Sequence, residues 1–117
     1  MPNNLSLQFS ESSGDYQIVG FTGDFDKAGF AEIKDKITDF VLNFNKKVLI
    51  FDFTNLKYIN SEGIGYLMEA HTHLIQRDRK LIIVGLNEHV KDIFQAIGIT
   101  EIIPIFSSVD NYLNSIK

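Results

Sequence analysis

Residues 47–68 read KVLIFDFTNLKYINSEGIGYLM, and the rest of the chain is organised around them. Val48, Leu49, Ile50, Phe51 and Phe53 make a short, nearly continuous apolar run, the pattern of a strand covered on both faces of a sheet. Beyond Tyr58 and Ile59 comes the polar break Asn60-Ser61-Glu62-Gly63. It is followed by Ile64, Leu67, Met68, His71, Leu74 and Ile75 at helical three-and-four spacing. The spacing predicts a strand that ends, and a helix that begins, at a hydroxyl.

That placement has chemical content. The first turn of a helix presents unpaired backbone N–H groups and the positive end of its dipole, so a phosphate can rest there. Ser61 can carry one, and the carboxyl ends of strands are where sites form in an open α/β sheet. The structural alternative is that Asn60 or Ser61 simply caps the helix, contributing about 1 kcal/mol. Gly63 and Gly65 add weight to the first turns. Each costs up to ~1 kcal/mol relative to alanine inside a helix, which implies close backbone approach to the core or to a partner.

Upstream, Leu5, Leu7 and Phe9 alternate with polar residues, Ser12-Ser13-Gly14-Asp15 reads as a turn, and Tyr16, Ile18 and Phe21 continue the alternation. The chain therefore opens with an antiparallel hairpin. Thr22-Gly23-Asp24-Phe25-Asp26 closes the second strand. Phe30, Ile33, Ile37, Phe40, Val41 and Phe44 then mark an amphipathic helix, capped by Asp24 or Asp26 and ended at Asn45-Lys46.

Downstream, Leu81–Val84 suits a buried parallel strand stopped by Gly85. Asn87 caps a helix through Val90, Ile93, Phe94 and Ile97, which Gly98 ends. Ile99 to Phe106 holds a final strand, placed at an edge because Pro104 cannot donate to the ladder. Ser107 or Ser108 opens a last helix with Val109, Tyr112, Leu113 and Ile116. The order predicts one α/β domain over residues 1–117, with a small mixed sheet and about four helices around it.

Composition narrows the function. The 117 residues are 44% hydrophobic, enough for one core. A formal charge of −4, with eleven scattered Lys and Arg, argues against a nucleic-acid binder. No apolar run is long enough to span a bilayer, and the start MPNNLSLQFSE lacks the basic and apolar segments of a secretory signal; a cytoplasmic protein with no membrane partner is expected. Zero cysteines exclude disulfides and thiolate chemistry.

His71 and His73 fall on different sides of a helix and Glu69 with His73 lacks a third ligand, so no metal site is expected. His71 reads as a buried, hydrogen-bonded histidine, and His73 and His89 as facing solvent. Asp52 lies within an apolar strand rather than at its end, unlike a phosphoryl-accepting aspartate. Asp24 and Asp26 would need a pocket and a second group to act as acid and base, and no phosphate-cradling or dinucleotide fingerprint occurs. A non-enzymatic protein without cofactors is the expectation.

VLIFDFTNLKYINSEGIGYL resembles the core motif of STAS domains, specifically the bacterial anti-sigma factor antagonists. Thr22-Gly23-Asp24-Phe25-Asp26 is similar to the family's Gly-acidic-apolar-Asp turn. Leu81–Leu86 with Asn87 is similar to its fourth strand and following loop, and Phe94-Gln95-Ala96-Ile97-Gly98-Ile99 to the helix before its last strand. In the family the motif reads Asp-Ser-(Ser or Thr)-Gly and its first serine is phosphorylated by a kinase that is also the anti-sigma factor. Ser61 occupies that position, while Asn60 replaces the aspartate and Glu62 the second hydroxyl residue.

The resemblance implies a transcription-regulating phosphoprotein that engages a serine kinase anti-sigma factor and is switched off at Ser61. Its partner surface would comprise Asp24, Asp26, Asn60, Ser61, Glu62, Gly63, Ile64 and Tyr66. The departures at Asn60 and Glu62 leave a second reading open: a divergent STAS protein that binds another regulatory partner or a ligand without being phosphorylated.

Overall fold

A computed structural model describes residues 4–116, the side chains of residues 11 and 12 excepted; the predicted amino-terminal start falls partly on residues 1–3, outside this range. Five strands and four helices follow in the order β1 (Leu5–Ser12), β2 (Tyr16–Phe25), α1 (Lys27–Leu42), β3 (Val48–Ile59), α2 (Ser61–Ile75), β4 (Lys80–Val84), α3 (Glu88–Ile97), β5 (Ile105–Phe106) and α4 (Val109–Ser115). The sheet runs β1-β2-β3-β4-β5, antiparallel between β1 and β2 and parallel thereafter, as the opening hairpin and the later strand-helix alternation predict.

This spatial order decides where the helices go. The crossovers from β2 to β3, β3 to β4 and β4 to β5 all step the same way across the sheet, and each is right-handed by the general rule, so α1, α2 and α3 share one face. Under them lies the main core: Val19, Phe21, Phe25, Phe51 and Phe53 from the strands, Ile33, Ile37 and Val41 from α1, Leu67, Ala70 and Leu74 from α2, and Val90 and Phe94 from α3. Phe21 packs against Phe25, Phe51 and Phe53 at centroid separations of 5.6, 4.8 and 5.0 Å. The chain after β5 folds to the opposite face, where Tyr112 of α4 closes a smaller cluster over Ile50, Ile82 and Val84. Among the described residues no helix is long and apolar enough to cross a membrane.

Two elements differ from the sequence reading. β3 is not short: it continues through the polar stretch Thr54–Tyr58 to Ile59, with register irregularities against β2 on the way. Asp52 Oδ1 holds the bend by accepting from the Thr54 amide at 2.9 Å and the Thr54 hydroxyl at 2.5 Å, and Gly85 abuts the same spot, where a Cβ would lie 2.4 Å from Thr54 Oγ1. The predicted strand from Ile99 to Phe106 is mostly not a strand. Ile99–Glu101 forms a single 3-10 turn that buries Ile99, and only Ile105 and Phe106 join the sheet.

The helix ends follow local chemistry. Asp26, not Asp24, caps α1, accepting from the Gly29 amide at 2.8 Å. Asn87 caps α3 through the Val90 amide at 2.8 Å while its amide nitrogen donates to Leu56 and Lys57 carbonyls at 3.1 and 3.3 Å, fastening α3 to β3. Gly98 ends α3 in the left-handed region at φ 81°, and Ser108 caps α4.

Candidate partner surface at the start of α2

The parallel pairing of β2 with β3 sets Phe25 beside Ile59 and Asp24 beside Tyr58, so the β2–α1 and β3–α2 turns emerge side by side at the carboxyl ends of their strands. One hydrogen bond joins them: the Asn60 amide donates to the Phe25 carbonyl at 3.1 Å. Asp24, Asp26, Asn60, Ser61 and Glu62 are therefore neighbours in space. Ser61 and Glu62 are exposed; Asp24, Asp26 and Asn60 are half-buried.

Asn60 is the N-cap of α2. Its Oδ1 accepts from the amides of Glu62 at 3.0 Å and Gly63 at 3.3 Å, and its carbonyl accepts from Ile64 at 3.0 Å. Ser61 is thus the first helical residue and not the cap. Two of the first-turn N–H groups on which a phosphate at Ser61 was expected to rest, the Glu62 and Gly63 amides, already have an acceptor in Asn60 Oδ1. A phosphate here gains the field of the helix end without those two bonds. Glu62 sits favourably in that field by a few tenths of a kcal/mol and meets a phosphate as a like charge.

The two glycines of the motif have different causes. A Cβ on Gly63 would lie 2.6 Å from Ile59 Cγ1, 2.7 Å from Phe25 Cδ1 and 2.8 Å from the Phe25 carbonyl oxygen, so Gly63 is what lets α2 sit directly on β2 and β3. Gly65 meets nothing within 4 Å and is exposed. Its helix-propensity cost of about 1 kcal/mol therefore has no reason in the internal packing.

Gly63 and Tyr66, read from the sequence as parts of the partner surface, face inward. Gly63 is buried beneath Phe25 and Ile59, and Tyr66 is 6% exposed. The Tyr66 ring packs on Phe30 at 5.1 Å and Phe25 at 6.4 Å. Burial pushes its hydroxyl up to about 12; a hydrogen bond with Thr38 opposes the shift and the charge of Glu69 adds to it. The physical reason is the angle of the buried stripe. α2 turns Gly63, Tyr66, Leu67, Ala70 and Leu74 to the core, leaving Ile64 and Met68 half-buried at its flank and Ile75 exposed.

His71 is half-buried and its Nδ1 has no hydrogen-bond partner, whereas the sequence reading supplied one. His73 does not simply face solvent: Arg77 Nη1 contacts its Nδ1 at 3.0 Å, and its Nε2 is buried without a partner. Among the described residues no three or more His, Cys, Asp or Glu side chains are placed to hold a metal ion.

Two further surface features lie on β3 and α2. Tyr58, 41% exposed, stacks with His89 at a centroid distance of 6.1 Å and an interplanar angle of 20°. Strand alternation carries the signal for it, because Ile59 points inward and its predecessor must point out. A shallow groove of about 450 Å³ runs along α2, lined by Phe30, Ser61, Glu62, Gly65, Tyr66 and Glu69. Glu62, Gly65 and Glu69 recur at helical spacing, which was readable; that Phe30 of α1 would face them was not.

Known proteins bear on this arrangement. A protein-family model described as STAS domain matches residues 8–112. The anti-sigma-B factor antagonist of Listeria monocytogenes serovar 1/2a is 26% identical over 111 residues, covering 95% of this chain and 96% of that protein. The crystal structure of an anti-sigma factor antagonist from Mycobacterium paratuberculosis has a similar fold, with a TM-score of 0.82 and 16% identity over 98% of this chain and 96% of that one. The Bacillus cell fate determinant SpoIIAA in its phosphorylated form gives a TM-score of 0.71 with 15% identity, over 96% of this chain and 100% of that one. From its opening hairpin to its last helix, over all but a few terminal residues, the chain belongs to the STAS domain family.

Proposed function

We propose that this chain is a regulatory binding module that pairs with a kinase-type anti-sigma factor, and that phosphorylation of Ser61 ends the pairing. The observation that carries the reading is the position of Ser61: exposed, on the first residue of α2, beside the β2–α1 turn and at the rim of an open groove. The name of the Listeria relative, an anti-sigma-B factor antagonist, supports the general role. The Bacillus structural neighbour is a phosphorylated form, in keeping with a phosphate-based switch on this fold.

The switch follows from desolvation and charge. Phosphorylation adds about −1.5 to −2 charges at neutral pH. With the Glu62 and Gly63 amides held by Asn60, the phosphate projects outward beside the Glu62 carboxylate. A partner surface fitted to a neutral hydroxyl must then desolvate the dianion, which costs several kcal/mol where the contact is buried. The fold itself is untouched, because Ser61 makes no part of the core.

The second reading, a STAS protein that binds a partner without being phosphorylated, is favoured by Asn60 and Glu62: one occupies the amides a phosphate would use and the other already supplies a negative charge. Incubating the purified protein with its partner and ATP, then mapping phosphate by mass spectrometry, separates the two. Phosphate on Ser61 that is absent from Ser61→Ala supports the switch. An unmodified Ser61 in a stable complex supports the second reading.

A further inference from the structure

Gly65 is the residue of the motif that nothing inside the molecule explains. It lies on the outer face of α2, in the groove floored by Phe30 and Tyr66, whose rings lie 5.1 Å apart. Glu62 stands one turn before it and Glu69 one turn after, both exposed. α2 contains no lysine or arginine, and the basic residue one turn after Glu69, His73, is contacted by Arg77 at 3.0 Å; Lys27 and Lys34 of α1 are exposed and do not line the groove. A bare backbone, an aromatic ledge and a carboxylate converge on one chemistry. A planar cation lies flat on an aromatic face while pairing with a carboxylate, and guanidinium does both better than ammonium.

We infer that the groove at Gly65 receives an arginine side chain of the partner protein, laid over Phe30 and paired with Glu69. This rests on the partner-binding reading and names what that partner presents. The net charge of −4 favours a basic occupant, and the groove's 450 Å³ takes a guanidinium with its stem. A side chain at position 65 would lift that stem off the helix, which supplies the missing reason for glycine. The contact adjoins the switch, since Ser61 lines the same groove ~6 Å along the helix axis from Gly65 at ~1.5 Å per residue, while the Glu69 pairing sits ~12 Å away; the glycine and glutamate variants therefore test the groove without altering Ser61.

Two experiments test it. In the first, ¹H–¹⁵N spectra are recorded while Nα-acetyl-arginine methylamide is added, with the citrulline compound as its neutral isostere. Saturable shifts at Gly65, Tyr66 and Glu69, weakened roughly fivefold or more with citrulline or in Glu69→Gln, are expected for a charge-assisted contact. Equal shifts with both compounds, or shifts confined elsewhere, overturn the assignment.

In the second, affinity for the anti-sigma partner is measured for Gly65→Ala, Glu69→Lys and Ser61→Asp. The glycine and glutamate variants are expected to lose roughly tenfold or more, the loss shrinking at high salt. Gly65→Ala is expected to melt higher than wild type, so lost affinity cannot be mistaken for lost fold. Full affinity in both overturns the groove assignment whatever Ser61→Asp does. Loss in both with Ser61→Asp unaffected keeps the groove and removes the switch.

Discussion

Gly63→Ala and Gly65→Ala are the same change two residues apart in one helix, and they are expected to move stability in opposite directions. Either substitution gains helix propensity of up to about 1 kcal/mol. At Gly65 nothing lies within 4 Å of the new methyl, so most of that gain survives and the domain is stabilised by about 0.5–1 kcal/mol. At Gly63 the methyl would lie 2.8 Å from the Phe25 carbonyl oxygen, a backbone atom that cannot rotate away and that also accepts from Asn60.

Three contacts under 3.0 Å, one of them to a backbone atom, put the overpacking cost in the upper part of its usual range, about 2–3 kcal/mol, so Gly63→Ala is destabilised by about 1–2 kcal/mol after a propensity gain of about 1 kcal/mol is subtracted. For a chain of this size the melting temperature moves by roughly 4 °C per kcal/mol, which separates the two variants by about 6–12 °C. Urea unfolding followed by circular dichroism reads the difference as a shift in midpoint at constant slope. A Gly63→Ala protein at least as stable as wild type, or a Gly65→Ala protein less stable, would refute the assignment of one glycine to the core and the other to the surface.

Ile64→Asp, at a half-buried position beside Ser61, is expected to weaken partner affinity while costing only about 1 kcal/mol of stability; a dichroism spectrum and a binding titration on one sample check this, and an unfolded product assigns Ile64 to the core. Asn87→Asp keeps the α3 cap and replaces the donor to the Leu56 and Lys57 carbonyls with a charge, so a loss of about 1–3 kcal/mol is expected in urea unfolding; a neutral result would mean that the link to β3 carries no stability. Tyr66 is held above its ordinary value in the folded state, so the stabilisation it contributes is complete below about pH 10 and lost as pH rises toward about 12. Tyr66→Phe is therefore expected to lose less stability over that interval than wild type, and parallel pH profiles would place the hydroxyl in water.

Element order was legible because period and punctuation agree along most of the chain. Hydrophobic periodicity located the principal strands and helices, and the Asp, Asn and Ser caps with Gly85 and Gly98 marked their ends. The failures have local causes. In Ile99–Phe106 the apolar residues fit a strand and a compact turn equally well, and the choice was made by packing that buries Ile99 and Ile103. Thr54–Tyr58 lacks the apolar run of Val48–Phe53, yet continues β3 past a register shift at which Asp52 holds Thr54 and Gly85 packs close. At the surface, Ser61 and its turn were readable from the motif. The inward turn of Tyr66 was not, because Gly63 and Ala70 belong to the buried stripe and small residues carry little hydrophobic signal. Propensity penalises Gly63 and Gly65 alike, and only three-dimensional distances tell them apart.

The central claim is that charge placed on Ser61 ends partner binding without disturbing the fold. The most direct test is an isothermal titration of the kinase-type anti-sigma factor with unmodified protein, Ser61-phosphorylated protein and Ser61→Ala, each first shown to melt normally. The account predicts comparable affinity for the unmodified protein and Ser61→Ala, and a loss of roughly a hundredfold or more on phosphorylation, corresponding to about 3 kcal/mol. Equal affinity for all three would contradict it and leave Ser61 as an ordinary first residue of α2.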